Sequence, residues 1–293
     1  MSGFRIQTRG LARAPMFVTS VVGTLALGIG GLTAVFAVVH AVLLNPLPYP
    51  DSGELVRISN SARGYSIPFS AVDYLALEDQ QTRFQGVAAL QRTRGTHTTD
   101  AGSTRMLVHS ASPSLFHLFG MQPALGRTFV PEEGEPGAPS VAILGWEFWE
   151  REFGGDPSRV GESVRIDGQD IPIVGVLPKR VGPTLEEAEV ILPLQLTPPQ
   201  RKGPFFLQVY GRLGDGIDRS AATAELTAIN ERIFPVWQDS WPDRETTWAM
   251  ADLKTFTVGS VGPSLFIVLG AAVFVLLMVC ANAASLLLAR LLD

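Results

Sequence analysis

The chain is poor in the residues from which most enzyme centres are built. Its 293 residues include one cysteine, Cys280, so no intrachain disulfide can form. Cys280 lies inside an apolar run, where a lone cysteine is a small packing residue. Histidine occurs four times, as His40, His97, His109 and His117. No HExxH pair and no Cys/His cluster offers a zinc site. His109 and His117 stand eight apart across a predicted strand–helix join, and a shared metal there is the weaker reading beside ordinary core or surface roles. No GxxxxGK followed by Ser or Thr is present, so the chain has no ATPase phosphate-binding loop. Ser112, Ser114 and His117 lack the GxSxG elbow of a hydrolase, and the serines read as helix-start residues. Glu132, Glu133 and Glu135 lack the spacing of a calcium loop, and Pro136 and Gly137 break the run; a solvated turn is expected. Neither a basic patch nor interleaved aromatics suggests nucleic acid. No catalytic, cofactor-binding or metal-ligating residue is assigned, no cofactor is expected, and the chain is expected not to be an enzyme.

Charge is missing from two long stretches. Residues 14–50 and 255–289 contain no Asp, Glu, Lys or Arg. Each exceeds the roughly 20 residues that an α-helix needs to cross a bilayer. The mean hydropathy of the whole chain, +0.22, is only mildly raised, so the membrane reading rests on where the apolar residues cluster. Transmembrane helices are expected over 16–44 and 261–289. Gly23, Gly28, Gly30 and Gly31 would be costly in an aqueous helix but are tolerated in a membrane, where they permit close packing. Buried helices of a soluble core are seldom this long.

The flanks give an orientation. Arg5, Arg9 and Arg13 precede the first helix with no acidic residue among them, which puts residues 1–15 in the cytoplasm. Two crossings then return residues 290–293 to the cytoplasm and leave 51–254 outside. That segment holds 27 acidic and 19 basic residues, a net charge of −8. Long translocated domains are insensitive to charge, so the sum is compatible with this orientation without arguing for it. The apolar run is too long for a signal peptide, and "AVLLNPLPYP" is a poor cleavage site; an uncleaved anchor is favoured.

Between the helices the pattern is mixed α/β, an α+β extracytoplasmic domain of two subdomains of about 100 residues each. The predicted order is roughly β-α-β-β-α-β-α-β-β-β-β-α. Asp167-Gly168 is the strongest hairpin signal. Asp218 is the expected N-cap of a helix carrying Ala222, Leu226, Ile229 and Ile233. Trp146, Trp149 and Phe153 share one face of a short helix, for which core packing is the default and a partner-binding face the alternative. The stretch 181–204 is a candidate boundary between the subdomains.

Several strings in fixed order carry a family resemblance. "LALGIG" (25–30) and "AVLLNPLPYP" (41–50), the long run 110–178 beginning "SASPSLFHLFG", and "LFIVLGAAVFVLLMVCANAASLLLAR" (265–290) together resemble permease subunits of the MacB/FtsX-like ABC transporter class. The particular likeness is to the duplicated orphan permeases of acidobacterial type. The resemblance implies a MacB-like periplasmic core domain over 51–254 and the first helix of an FtsX-type membrane domain over 261–289. It implies a non-catalytic permease component of an export or mechanotransmission system in the cell inner membrane. The implied partners are the lipid bilayer, a separate ABC ATP-binding subunit, a second copy or second permease half, and an envelope partner. The alternative is a membrane-tethered extracytoplasmic binding or scaffold domain. A complete FtsX-type domain has two further helices and a cytoplasmic loop, whereas this sequence stops at Asp293. A fragment, a truncated product or one piece of a split permease is expected.

Overall fold

The computed structural model describes residues 15–62, 64–99, 102–241, 245–259 and 261–292. Arg5, Arg9 and Arg13, on which the expected orientation rests, lie outside them. The chain divides into two compact units, one holding the terminal helices and the other Pro46–Thr257.

In the helical unit, α1 (Pro15–Val39) runs into a five-residue π-turn, His40–Leu44, and α7 spans Val261–Leu292. The segments Thr19–Leu44 and Val261–Leu286 have mean hydropathies of 2.2 and 2.8 and are long and apolar enough to cross a membrane. Their apolar side chains face outward: Leu27 is 80% and Ile267 73% exposed. A helix in a soluble core would bury those residues. Of the four glycines in α1, Gly28 marks the contact with α7. A Cβ there would stand 3.1 Å from Leu276 Cδ1, whereas Gly23, Gly30 and Gly31 have open space around them.

The second unit is built on one sheet of twelve strands: β1 (Leu55–Ala62), β2 (Tyr65–Ile67), β3 (Phe69–Ser70), β4 (Phe84–Thr99), β5 (Gly102–Ala111), β6 (Leu125–Gly126), β7 (Ala142–Leu144), β8 (Ser163–Ile166), β9 (Gln169–Val176), β10 (Val190–Pro193), β11 (Phe205–Leu213) and β12 (Thr247–Asp252). The order across the sheet is β12-β1-β11-β4-β5-β10-β7-β9-β6, with β2, β3 and β8 off this path.

One face of β1, β4 and β11 presents Val56, Ile58, Val87, Ala89, Leu207 and Val209. Two helices cover it, α2 (Ala71–Gln80) through Val72 and Leu77, and α5 (Arg219–Trp237) through Ala222, Leu226, Ile229 and Ile233. The α5 residues recur every three to four positions, which places them on one helical stripe. Asp218 caps α5 by accepting from the Ser220 N–H. Ser70 and Asp73 form a reciprocal capping box at the start of α2. Asp73 also meets Lys202 at 3.0 Å, with side chains 0% and 3% exposed. That buried pair ties the loop before β11 to the start of α2.

The opposite face carries Leu55, Ala88, Leu90, Ala111 and Tyr210 beneath α3 (Ser114–Leu118) and the residues that follow α1. A third cluster joins β5, β7, β8 and β9 to α4 (Trp146–Phe153). Phe148 and Trp149 are the buried pair on α4, with Trp146 and Phe153 only partly covered. The expected Trp146, Trp149 and Phe153 thus all meet this cluster, and Phe148 joins them in it. β8 and β9 turn through Asp167 and Gly168, both at positive φ (49° and 81°), as a two-residue hairpin requires.

The two halves of this unit share strands. β4 pairs with β11 through its first residues and with β5 through the rest. The stretch 181–204 is not a linker between subdomains, because it contains β10, which pairs with both β5 and β7 inside the sheet.

Candidate functional site

The residues tested for chemistry are mostly committed to structure. Ser112 Oγ accepts from the Ala89 N–H at 3.0 Å and lies 3.0 Å from Ser114 Oγ, which donates to the Val87 carbonyl at 3.0 Å. Both hydroxyls therefore pin α3 to β4. They line, with His117, Tyr74, Glu78 and Glu135, a cleft of about 590 Å³, but no hydrogen bond joins His117 to either serine among the described residues. The hydrogen bonds seen at the two serines are thus structural, and they supply neither with the base that activates a nucleophile.

His109 is separated from His117. It is buried in β5, opposite Arg92 of β4, with neither ring nitrogen hydrogen-bonded. Burial first, and then the positive charge of Arg92, lower its pKa to about 4. His97 is also buried, with Nδ1 3.0 Å from the Arg165 carbonyl oxygen. Among the described residues, no group of three or more His, Cys, Asp or Glu side chains could hold a metal ion.

The acidic turn differs from expectation at Glu133. Its side chain is buried and takes Nη1 and Nη2 of Arg127 at 3.1 and 2.7 Å, together with the Val130 N–H. Burial opposes its ionisation, but these hydrogen bonds outweigh that and hold its pKa below the usual carboxylate range. Glu132 and Glu135 are exposed.

The most heavily built feature of the domain is the root of its two chain ends. After α1 the chain reads "NPLPYP" (45–50). Prolines at 46, 48 and 50 cannot continue a helix and bias the residues before them toward extended backbone, which makes a stiff connector. Tyr49 is buried, stacks at 4.6 Å on Phe119, and its oxygen accepts from the Thr184 N–H at 3.4 Å. Burial raises its pKa. Two glycines at positive φ leave room for the connector: a Cβ on Gly182 would meet the Tyr49 hydroxyl at 2.6 Å, and one on Gly120 would meet Pro50 Cγ at 2.9 Å.

Arg212 of β11 clamps this connector. Its guanidinium is buried and donates to the Leu118 carbonyl from Nε (3.0 Å) and Nη2 (2.9 Å). It also donates to the Pro50 carbonyl (3.0 Å), the Asp51 carbonyl (3.1 Å) and Glu54 Oε2 (3.4 Å). All the donors of the planar fork are engaged, a pattern that lysine cannot reproduce.

The second chain end is held beside the first. β12, the last strand before α6 (Leu253–Val258), pairs antiparallel with β1, the first strand after the connector, with Val56 opposite Asp252. Arg219 of α5 bridges the two, donating to the Gly53 carbonyl at 3.0 Å and forming an ion pair with Asp252. Leu253 and Tyr49 belong to the same apolar cluster. The sequence reading missed Arg212 and Arg219. The available signal was an arginine near the end of the largely apolar β11, "FFLQVYGRL".

The comparisons agree with this architecture. The model of the MacB-like periplasmic core domain matches residues 20–229. A macrolide export ATP-binding/permease protein, MacB of Bdellovibrio bacteriovorus, is 26% identical over 179 residues, covering 60% of this chain and 27% of that protein. The chain thus spans about a quarter of that relative's length. The periplasmic region of MacB from Actinobacillus actinomycetemcomitans superposes with a TM-score of 0.52 at 13% identity, covering 70% of this chain and 92% of the other. A permease-protein domain from Porphyromonas gingivalis gives 0.53 at 15% identity, with coverages of 70% and 93%. At these identities the structural likeness shows the fold alone. Two apolar terminal helices flank a mixed α/β domain, and the family model covers more than half of the sequence; the chain belongs to the MacB-like periplasmic core domain family, within the MacB/FtsX-like permeases.

Proposed function

We propose that the chain is a non-catalytic permease component of an ABC-type export or mechanotransmission system, working with a separate ATP-binding subunit in the inner membrane. In this reading residues 16–44 and 261–289 cross the membrane, 1–15 and 290–293 are cytoplasmic, and 51–254 face outward. Movement of the helices is passed to the outer domain through the paired chain ends. The observation that carries the reading is the β1–β12 pair. β1 starts where the first helix delivers the chain and β12 ends where the second takes it up, so both helices pull on the same end of one ladder. Separating them loads the Arg212 clamp on the connector at one chain end and the Arg219 bridge to Asp252 at the other. A second copy or second permease half and an envelope component are further proposed partners.

Purification of the chain from native membranes, with any downstream coding sequence retained, tests this reading. It expects an ATP-binding subunit to copurify and ATP hydrolysis to depend on it. Purification without any such subunit overturns it. The cleft walled by Tyr74, His117, Phe129 and Leu196 favours a second reading, a tethered binding or scaffold domain. That reading gains if the chain alone holds an envelope partner in the absence of an ATPase.

A further inference from the structure

Among the described residues, a buried cation in the sheet lacks a counter-ion. Arg57 of β1 is 5% exposed and stands opposite Tyr210 of β11. Its guanidinium carbon lies 4.9 Å from the Tyr210 ring centroid and 5.2 Å from that of Phe256. Its hydrogen bonding amounts to Nη1 donating to the Val209 carbonyl at 3.3 Å, while Nε is buried without a partner. Among the described residues no carboxylate pairs with it. Burial lowers the Arg57 pKa; Tyr210 opposes this, and the neighbouring Arg92 guanidinium adds to it. Arg92 itself donates to the Thr184 carbonyl at 3.2 Å and meets the largely exposed Glu187 at 3.8 Å. A buried unpaired guanidinium beside another cation is costly unless an anion or a dense set of acceptors compensates it.

The space for an anion is adjacent. A cavity of about 210 Å³ is walled by Arg92, Thr184, Gln208, Tyr210, Phe256 and Thr257 among others, with no Asp or Glu in its lining. Tyr210 and Phe256, whose rings the Arg57 guanidinium lies over, form two of these walls. Gln208 Oε1 accepts from the Tyr210 hydroxyl at 2.9 Å, which leaves the Gln208 amide nitrogen as a further donor. Guanidinium pairs recognise phosphate oxygens by charge-assisted hydrogen bonds. Phe256 and Thr257 precede Val261, the first residue of α7, by only five and four residues in the sequence.

We propose that the cavity beside Arg57 and Arg92 binds a phosphate group, either the headgroup of an anionic lipid or a free phosphate. The bound group pairs directly with Arg92 and offsets the charge of Arg57 from the far side of the Tyr210 and Phe256 rings. It sits against the last turn of chain before α7, so its binding stiffens the second tether where it enters the domain.

The test uses the whole chain. Its unfolding temperature is followed in detergent against inorganic phosphate, with sodium chloride at matched ionic strength as the control. The same is done in nanodiscs of phosphatidylcholine with and without phosphatidylglycerol. A rise with phosphatidylglycerol alone identifies a lipid headgroup, and a rise with phosphate alone identifies a free anion. A rise with both shows that the site takes the group from either source. In each case Arg92→Gln, at a partly exposed position, weakens the apparent affinity roughly tenfold or more. Arg57→Gln, behind the Tyr210 and Phe256 rings, weakens it less, while Arg105→Gln, on an exposed part of β5, leaves it unchanged. Stabilisation by neither probe, or stabilisation that survives Arg92→Gln, overturns the proposal.

Discussion

The Arg212 guanidinium donates twice to a single carbonyl oxygen, that of Leu118, through Nε at 3.0 Å and Nη2 at 2.9 Å. The same fork reaches the carbonyls of Pro50 and Asp51, so one side chain joins β11, the end of α3 and the connector. Arg212→Met strands these acceptors in a buried site and is expected to cost roughly 3–5 kcal/mol. Arg212→Lys recovers only part of that loss. Denaturant unfolding of the whole chain in detergent, followed by tryptophan fluorescence, measures it, because Trp248 is buried in the core beside Phe69. Wild-type stability in Arg212→Met contradicts the clamp.

Ser112 and His117 separate a structural role from a chemical one. Ser112→Ala leaves the Ala89 N–H without its acceptor and is expected to cost about 1–2 kcal/mol. His117→Ala, at an exposed position, is expected to stay within about 0.5 kcal/mol. The same unfolding experiment compares them. Equal and negligible effects would show that the Ser112 hydroxyl does not support β4.

Asp73 and Lys202 form a buried pair. Asp73→Asn removes the charge that Lys202 faces and weakens the α2 cap, at an expected cost of roughly 3–5 kcal/mol. Lys202→Met strands the carboxylate and acts in the same direction. The double variant Asp73→Asn with Lys202→Met is expected to lose less than the two single losses added together. Strict additivity would mean that the two side chains do not interact.

His109 gives a dependence on pH. Its folded pKa of about 4 lies below the ordinary 6.5. Above about pH 6.5 both folded and unfolded chains hold it neutral, so it contributes no slope. As the pH falls from about 6.5 toward 4, the unfolded chain takes up a proton that the folded chain refuses. Stability declines by up to about 3 kcal/mol through that window and then levels off. Both ring nitrogens are buried without hydrogen bonds, so His109→Leu removes this slope. Unfolding curves between pH 4 and pH 7.5 decide the matter; an identical slope in His109→Leu contradicts the assignment.

The features legible in the sequence were those set by a few neighbouring residues. The Asp167-Gly168 hairpin and the Asp218 cap depend on local backbone geometry and stand where expected. The two apolar helices follow from composition. Features that depend on distant partners were not visible. β12, "TWAMAD", has no strong alternation, and its place is fixed by β1 at the other end of the domain. β10 looked like part of a proline-rich boundary because Pro193 ends it, yet its neighbours are β5 and β7. Arg212 could not be read as a clamp, since its acceptors at positions 50, 51 and 118 are brought to it only by the fold. Glu133 looked like one of three solvated acids until Arg127 folded back onto it.

The account rests on a domain held outside the membrane by two crossings. A reporter that is active only outside the cytoplasm, joined after residue 150, and one that is active only inside, joined after residue 293, test this most directly. The account predicts that the first reporter is active outside and the second inside. Both reporters on the same side of the membrane would contradict it.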